Sequence, residues 1–457
     1  MPINKKIAVA VRTTIADRLP EQIRTSAFTH TALTVDEWWQ MLAAHRAVPG
    51  AFPALCRAHV RLNDVPVSLR PSLPGLRGRA AQDDAGPDGE REVRRWRCRR
   101  ASGLWGGYVR ERMRRGQPKK VLPVGKLPLE HLRSLLGRLP KHDPRLLVGP
   151  QIGEDAAVID ACDRYLVVTT DPITFATDHI GRYAVHVNAN DIAVLGARPL
   201  WFFVVMLLPE SRTKPELAET IMADVRTTCE ELGVTVGGGH TEITQGLDRP
   251  ILVGQMLGEV APTRLVRKTR IAIGDLILLT RGVAIEGTAI LAREKSERLR
   301  GRVDADLLAR AARFLIEPGI SVVSAALAAA NVGEVVHAMH DPTEGGLAMG
   351  LFELVAPAGL GLRVIREHIP VFPETDTICS ALALDPLKLI ASGALLIAVA
   401  ADRADSVLTA IEATGVPVVV IGEVRPSSEG IMIVTDGAVE PLTPPVRDEI
   451  ARAFEGG

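Results

Sequence analysis

One acidic residue at the end of a predicted buried strand constrains this chain more than any other feature. An apolar strand pattern covers residues 165–170 and gives way to Asp171, which Pro172 follows. A side chain in that place is held by the sheet and faces a loop. A second acid, Asp191, falls within a helical pattern of apolar residues. An aspartate beside the apolar stripe of a helix is unfavourable unless a cation or a hydrogen-bond donor compensates it.

A third acid, Asp155, precedes another apolar strand pattern. Carboxylates from several element ends supply the few hard oxygens that Mg²⁺ needs, while water and phosphates complete its coordination shell. Each acid also has an ordinary interpretation: Asp171 as a turn cap, Asp191 as a partner of Arg198, and Asp155 as a surface turn residue. The three acids together, with the glycines that follow, favour the metal site.

A run of three glycines at residues 237–239 follows a short strand pattern and precedes His240. Glycines in that position let the backbone approach a ligand closely and turn its N–H groups toward an anion. Such a run is also typical of an ordinary loop, so it carries weight only alongside the acids.

A second glycine-containing run follows the strand pattern at residues 335–339. Asp341 and Thr343 stand before Gly345, where a helix is predicted to begin. The free N–H groups of the first helical turn form an anion site. An alternative of equal weight is that Asp341 and Thr343 only cap the helix.

Length and composition set the class of protein. At 457 residues the chain is expected to hold two or three domains. It has no apolar run of 18 residues, so no membrane span is predicted, and its first apolar stretch is too short for a secretory signal. Five scattered cysteines indicate a reducing cytoplasm and argue against a disulfide framework or a zinc site.

The net charge of zero conceals two unlike parts. Residues 1–120 contain 23 Lys or Arg against 11 Asp or Glu, six of the arginines fall within residues 91–100, and four of the five tryptophans lie in this part. A helix is plausible at residues 35–45. A basic arm for nucleic acid is one interpretation. We favour the interpretation that residues 1–120 are an extension that is disordered or not part of the functional chain. The functional chain is then expected to begin near Val121.

The remaining sequence reads as two domains, residues 121–262 and residues 263–457. In the first, strands and two helices alternate in an order that suggests an α+β sheet with helices on one face. The second contains mixed strands and helices of an α/β or α+β type. Neither domain contains a Walker motif, a Rossmann glycine fingerprint or a serine nucleophile elbow.

Six motifs in this order resemble the AIR synthase (PurM) superfamily. They are GEDAAV at residues 153–158, TTD at 169–171, NDIAVLGARP at 190–199, GGHT at 238–241, DPTEGGL at 341–347 and ASGALLIAV at 391–399. The last two runs are most similar to the hydrogenase-maturation protein HypE, whereas thiamine-monophosphate kinase and selenophosphate synthetase are other members.

The resemblance implies a PurM-like α+β fold, with an N-terminal sheet domain that dimerises and a C-terminal α/β domain. It implies ATP between the domains, Mg²⁺ on the phosphates, and ATP-driven activation of an acceptor oxygen through a phosphorylated intermediate. By motif match, the metal ligands are Asp155, Asp171 and Asp191. The catalytic residues are Asp171, Asp191 and Asp341, and the cofactor-binding residues are Asn190, Gly238, Gly239, Thr343 and Gly345.

Two departures separate this chain from HypE. HypE ends in a cysteine that accepts a carbamoyl group, whereas the last cysteine here is Cys379, and Glu344 stands where the family usually has Arg. We therefore predict a cytoplasmic, homodimeric Mg-ATP enzyme of the HypE-like branch with an unidentified acceptor. A phosphotransferase resembling thiamine-monophosphate kinase, and a nucleotide-binding partner of a maturation complex that does not turn over ATP, are the alternatives.

Overall fold

A computed structural model describes Leu122 and residues 124–140 and 143–455. Residues 1–120 and Val121 lie outside the described residues. The predictions made for them include the helix at residues 35–45 and the basic stretch at residues 91–100. Within the described part, two mixed helix-and-sheet regions follow one another along the chain. The predicted α+β fold class is confirmed.

The first region is a six-stranded sheet with the strand order β1-β2-β3-β6-β4-β5. All neighbouring strands are antiparallel except β4 and β5, which are parallel. Its strands are β1 (Leu146–Val148), β2 (Ala157–Asp160), β3 (Tyr165–Ile173), β4 (Arg198–Pro209), β5 (Thr235–Thr244) and β6 (Ile251–Val260). Its helices are α1 (Leu129–Leu136), α2 (Ile180–Ala193) and α3 (Pro215–Leu232).

Two predicted strand ends in this sheet are wrong. The strand expected to stop before Asp171 continues to Ile173, and Asp171 pairs with Gly254 inside the ladder. The strand expected to stop at the glycine run continues through it as β5. Gly239 fits because a Cβ there would lie 1.8 Å from the carbonyl oxygen of Val204. Glycine at this position lets β5 approach β4 closely and does not mark a loop.

The second region is a seven-stranded sheet with the order β13-β12-β9-β11-β7-β10-β8, in which only β12 and β9 are parallel neighbours. Its strands are β7 (Leu276–Thr280), β8 (Val336–His340), β9 (Gly361–Ile365), β10 (Leu396–Val399), β11 (Val418–Arg425), β12 (Ile431–Thr435) and β13 (Ala438–Pro441). Its α-helices are α4 (Ile285–Glu294), α5 (Ser296–Leu299), α6 (Ala305–Ala312), α7 (Val323–Val332), α8 (Gly346–Val355), α9 (Pro373–Leu382), α10 (Ala404–Glu412) and α11 (Glu449–Phe454).

Helix α2 is buried on every face, and of its fourteen residues only Arg182 is not buried. It packs on β3, β4 and β6 on one side and contacts α3 and α7 on others. A helix enclosed in this way cannot direct its polar residues to water, so each needs a partner inside the protein. Asn188, Asn190 and Asp191 each have such a partner, whereas Tyr183 Oη and His186 Nδ1 have none among the described residues.

One segment of the described chain, Leu315–Val332, has the length and composition of a membrane span. The segment is not one helix, because Glu317 leaves the helical region and Pro318 follows it. The alanines of its second half that are buried pack in the core cluster. A core helix of this kind satisfies the same length and hydropathy criteria as a membrane helix.

Gly196 and Gly415 form a matched pair for a stability test. Both follow a helix with a left-handed φ, +74° and +79°, but only Gly196 is packed: a Cβ there would lie 2.7 Å from the carbonyl oxygen of Arg264. Gly415→Ala is expected to cost about 1 kcal/mol from backbone strain alone. Gly196→Ala should cost about 1–3 kcal/mol more because of overpacking. Urea unfolding of both variants measures the difference, and equal losses would contradict the described packing.

Candidate functional site

Four aspartates from separate elements lie close enough for their charges to act on one another. They are Asp155, Asp171, Asp191 and Asp341. Burial, and then the charges of Asp171 and Asp341, raises the pKa of Asp191 well above its ordinary value. Donor atoms of Asp155, His340 and Asp341 all lie within 4.8 Å of one another. The three acids predicted as metal ligands therefore share one site with the fourth predicted catalytic acid.

Strand β3 and helix α2 hold two of these acids in place. The hydroxyl of Thr169 donates to Asp191 Oδ2 at 2.7 Å. Asn188 accepts the backbone N–H of Asp171 at 3.0 Å and donates to the carbonyl oxygen of the same residue at 3.3 Å. The side chain of Asn188 thus fixes the backbone of Asp171, a predicted metal ligand. Sequence reasoning did not single out Asn188.

Basic and acidic side chains alternate around Asp155. Lys268 Nζ lies 2.7 Å from Asp155 Oδ2, and His340 Nδ1 lies 2.8 Å from Asp155 Oδ1. His340 Nε2 is 3.2 Å from Glu353 Oε2, and Glu353 Oε1 is 3.4 Å from Lys126 Nζ. Sequence reasoning missed Lys126, Lys268 and Glu353 because no motif marks them, whereas the proximity of His340 to Asp341 in the chain was a usable signal.

The pKa shifts follow from this alternation. Burial alone would raise the pKa of Asp155, but His340 and Lys268 outweigh it and hold that pKa far below its usual range. Burial likewise opposes ionisation of Glu353, yet Lys126 and His340 lower its pKa to about 2. Burial opposes protonation of His340, but the charge and hydrogen bond of Asp155, together with the hydrogen bond to Glu353, outweigh it and raise the pKa of His340. Asp155 and Glu353 are therefore carboxylates at neutral pH.

Asp341 differs from Asp155 in having no partner. Both of its carboxylate oxygens are buried without a hydrogen bond to the described residues, and 1% of the residue is exposed. Burial raises its pKa well above the ordinary value. A divalent cation would compensate such a carboxylate, and the charges of Asp171 and Asp341 both act on Asp191, so these three acids are candidates to hold Mg²⁺. Asp155 is the least available of the predicted ligands, because its two oxygens already pair with Lys268 and His340.

A cavity of about 700 Å³ adjoins Asp171 and is lined by residues of both regions of the chain. Asp171 and Thr343 lie in its wall. Gly345 directly precedes α8 with a left-handed φ of +89°, but its N–H donates to Asp448 Oδ2. Asp448 also accepts from Ile390 at 3.3 Å, and burial raises its pKa to about 7. The carboxyl group of Asp448 thus accepts the N–H of Gly345 that was predicted to bind the cofactor.

Glu344 holds the N-terminal part of the described chain. Its Oε1 accepts the backbone N–H of Lys126 at 2.7 Å. Both residues line the cavity. Glu344 thus fixes the backbone of the lysine whose ammonium lies 3.4 Å from Glu353 Oε1.

Three predicted cofactor residues are not placed among the acids. Asn190 uses its amide on the backbone of the second region, donating to the carbonyl oxygen of Ile320 and accepting from the N–H of Val322, both at 2.9 Å. Gly238 and Gly239 lie in edge strand β5, three strands from Asp171 in β3. That separation is about 14 Å at the usual strand spacing. Asn190 joins the two regions, and the glycines shape the sheet edge.

Loss of the Lys268 ammonium tests the ionic network. Lys268→Met leaves Asp155 buried without its lysine partner, so it should lower the free energy of unfolding by about 3–5 kcal/mol. Adding Asp155→Asn should restore part of that loss. The control is Arg226→Met, which removes the exposed Arg226–Glu230 pair and should cost less than about 0.5 kcal/mol. Similar losses in the two single variants, measured by urea unfolding, would refute a structural role for the network.

Glu353 predicts a specific pH dependence of stability. A carboxylate whose folded pKa is depressed stabilises the protein above its unfolded pKa and loses that effect as pH falls toward the folded value. The advantage of wild type over Glu353→Gln should therefore be full at pH 7 and shrink below about pH 4.5, toward about pH 2. Unfolding free energies at pH 7, 5 and 3 measure it. A pH-independent difference would contradict the assigned ion pairs.

Comparison with known proteins agrees with the motifs. The sequence profile described as AIR synthase related protein, N-terminal domain, matches residues 153–260, and the corresponding C-terminal domain profile matches residues 272–435. The carbamoyl dehydratase HypE of Rhizobium leguminosarum bv. viciae is 30% identical over 281 residues, which cover 60% of this chain and 77% of that protein.

Two further comparisons extend over more of the chain. MJ0676 of Methanocaldococcus jannaschii, by name a hydrogenase expression/formation protein, is 28% identical over 67% of this chain and 89% of its own length. The crystal structure of the hydrogenase maturation protein HypE in complex with ATP superposes with a TM-score of 0.54 at 24% identity, covering 71% of this chain and 94% of that one. The chain therefore belongs to the AIR synthase related (PurM) superfamily and is a HypE-like member of it.

Proposed function

We propose that this chain is a Mg-ATP-dependent enzyme that activates an oxygen of an acceptor through a phosphorylated intermediate. The observation that carries the proposal is the buried, unpartnered carboxylate of Asp341, grouped with Asp171 and Asp191 beside a cavity that both regions line. These oxygens suit a divalent cation on a triphosphate. The names of the relatives, carbamoyl dehydratase and hydrogenase expression/formation protein, support an ATP-dependent role in metalloenzyme maturation.

Phosphoryl transfer requires that the protein position the reactants and neutralise charge, more than that it supply a covalent nucleophile. The acceptor oxygen takes the terminal phosphoryl group of ATP, ADP leaves, and the phosphorylated oxygen becomes a good leaving group. Asp171, Asp191 and Asp341 would hold Mg²⁺, which neutralises phosphate charge when it is bound. Lys126 and Thr343 line the same cavity and are proposed to contact the phosphates.

The domain organisation is part of this proposal. We infer a catalytic unit of two domains, residues 121–262 and 263–457, with residues 1–120 as an extension outside it. The separate sheets and the limits of the two family profiles support this division. We place the enzyme in the cytoplasm because of its cysteine pattern.

Replacement of the proposed metal ligands should weaken nucleotide binding without unfolding the protein. Asp191→Asn keeps the shape of the side chain and removes one negative oxygen, so affinity for Mg-ATP should fall at least about tenfold, on the order of 1.4 kcal/mol. Asp171→Asn should act in the same direction. Asp163→Asn, at an exposed position of the same sheet region, is the control. Calorimetric titration that finds unchanged affinity in both site variants would refute the site.

Turnover separates an enzyme from a nucleotide-binding partner. The full chain, incubated with Mg-ATP and candidate acceptors, should release ADP in an acceptor-dependent way. Tight binding with no ADP under any condition would instead favour the non-catalytic partner. A stable phosphorylated acceptor, rather than a dehydrated or ligated product, would favour the phosphotransferase alternative.

We further propose that the chain forms a homodimer through the first sheet. The face of β4 opposite α2 carries Trp201, Phe203, Val205 and Leu207, none of which is buried, and 37% of Trp201 is exposed. Strand β5 beside it is an edge strand whose residues are exposed along almost its full length. An apolar face that ends in a long free edge is unfavourable in a monomer and is satisfied by a second copy.

A charge on that face should dissociate the dimer. Val205→Arg is expected to shift the protein from dimer to monomer in sedimentation velocity, because an arginine would be buried without a partner in the interface. Val439→Arg, in edge strand β13 where the valine is 50% exposed, should leave the dimer intact. A wild-type monomer at micromolar concentration, or an undisturbed Val205→Arg dimer, would contradict the proposal.

A further inference from the structure

A lysine ammonium lies among donor atoms that could otherwise hold a metal ion. Donor atoms of Asp155, His340 and Asp341 lie within 4.8 Å of one another, a spacing that one ion can bridge. Lys268 Nζ lies 2.7 Å from Asp155 Oδ2 and 3.0 Å from His340 Nδ1. It also donates to the carbonyl oxygen of Gly153. A cation of the chain itself therefore contacts the atoms from which a metal ion could be bound.

The backbone directs this lysine inward and leaves two basic neighbours outside. Lys268 is 3% exposed, whereas Arg264 and Arg270 are exposed. The segment is held in place because the N–H of Val266 donates to the carbonyl oxygen of Leu195 at 3.1 Å. A lysine is seldom buried unless its charge is paired, so its place among the acids is set by the fold.

The single charge of Lys268 does not satisfy the whole cluster. Both carboxylate oxygens of Asp341 are buried without a hydrogen bond to the described residues. A divalent ion bridging Asp155 and Asp341 would compensate both acids, whereas the ammonium pairs with Asp155 alone. Asp341 therefore stays available to an ion held together with Asp171 and Asp191.

The two candidate ion positions differ in the atoms that they offer. Asp171, Asp191 and Asp341 offer carboxylate oxygens alone, which suit Mg²⁺. The position that Lys268 fills would add an imidazole nitrogen of His340, and imidazole suits later divalent ions such as Co²⁺, Ni²⁺ and Zn²⁺. Since those ions bind a mixed nitrogen and oxygen site more tightly than the early ions of the series do, an open position there would attract them.

We propose that Lys268 determines the metal specificity of this site, because its ammonium excludes a nitrogen-bound transition-metal ion from the position between Asp155 and His340. The ion that binds with the nucleotide is then coordinated through oxygen alone. The inference rests on the proposed function for that oxygen-bound ion, whereas the blocked position follows from the contacts of Lys268 itself.

Removal of the ammonium should turn the cluster into a transition-metal site. Full-length Lys268→Ala should bind Co²⁺ at least about tenfold more tightly than wild type in calorimetric titration, because Asp155, Asp341 and His340 can then share the ion. Adding His340→Asn should abolish the gain. Arg270→Ala removes an exposed cation of the same turn and should behave as wild type. A Lys268→Ala protein that is folded by circular dichroism but binds Co²⁺ no better than wild type would overturn the proposal.

The wild type supplies a second test that needs no folded variant of Lys268. With Mn²⁺ below one equivalent and a non-hydrolysable ATP analogue, pulsed EPR reports whether an imidazole nitrogen coordinates the ion. The spectrum should be the same for unlabelled protein and for protein with ¹⁵N-labelled histidine. A label-dependent coupling that His340→Asn removes would overturn the proposal. Failure of the wild type to bind the analogue would refute the proposed function itself, whereas nucleotide binding with His340 on the ion would refute only the role of Lys268.

Discussion

The pairing of Asp155 with Lys268 and His340 is the interaction on which the site depends. Several carboxylates are buried where β3, α2 and β8 meet, and without cations their mutual repulsion would oppose folding. Lys268 and His340 neutralise one acid directly, and the chain of contacts continues through Glu353 to a second lysine. Asp341 is left without such compensation. The protein therefore folds with one part of its acidic group neutralised internally and another part free for a cation.

The same network links the two sheets. Asp155 precedes the second strand of the first sheet, whereas His340 ends β8 and Glu353 lies in α8 of the second region. Asn190 adds a neutral link through the backbone of Ile320 and Val322. Because these contacts and the cavity wall share elements, the shape of the cavity depends on the relative position of the two regions. Binding of a nucleotide, a metal ion or an acceptor in the cavity would then each affect the contacts between the two regions.

Local patterns were sufficient to predict the acids but not their surroundings. Asp171, Asp191 and Asp341 could be identified because each stands beside an apolar pattern that positions it. Lys268 could not, since its partner Asp155 lies 113 residues away and pairing over that distance leaves no periodic signal. The glycine run at residues 237–239 was misread because glycine serves a close strand approach as readily as a loop. The cofactor role predicted for Asn190 stays a prediction, and its amide bonds to backbone groups, which a motif cannot reveal.

A crystal structure of the full chain with Mn²⁺ and a non-hydrolysable ATP analogue would show whether these aspartates hold the metal. Mn²⁺ accepts the same oxygen ligands as Mg²⁺ and can be located by its anomalous scattering. We expect an anomalous peak in contact with carboxylate oxygens of Asp171, Asp191 or Asp341 and with the phosphates of the nucleotide. A nucleotide bound with its phosphates and metal away from all three aspartates would contradict it.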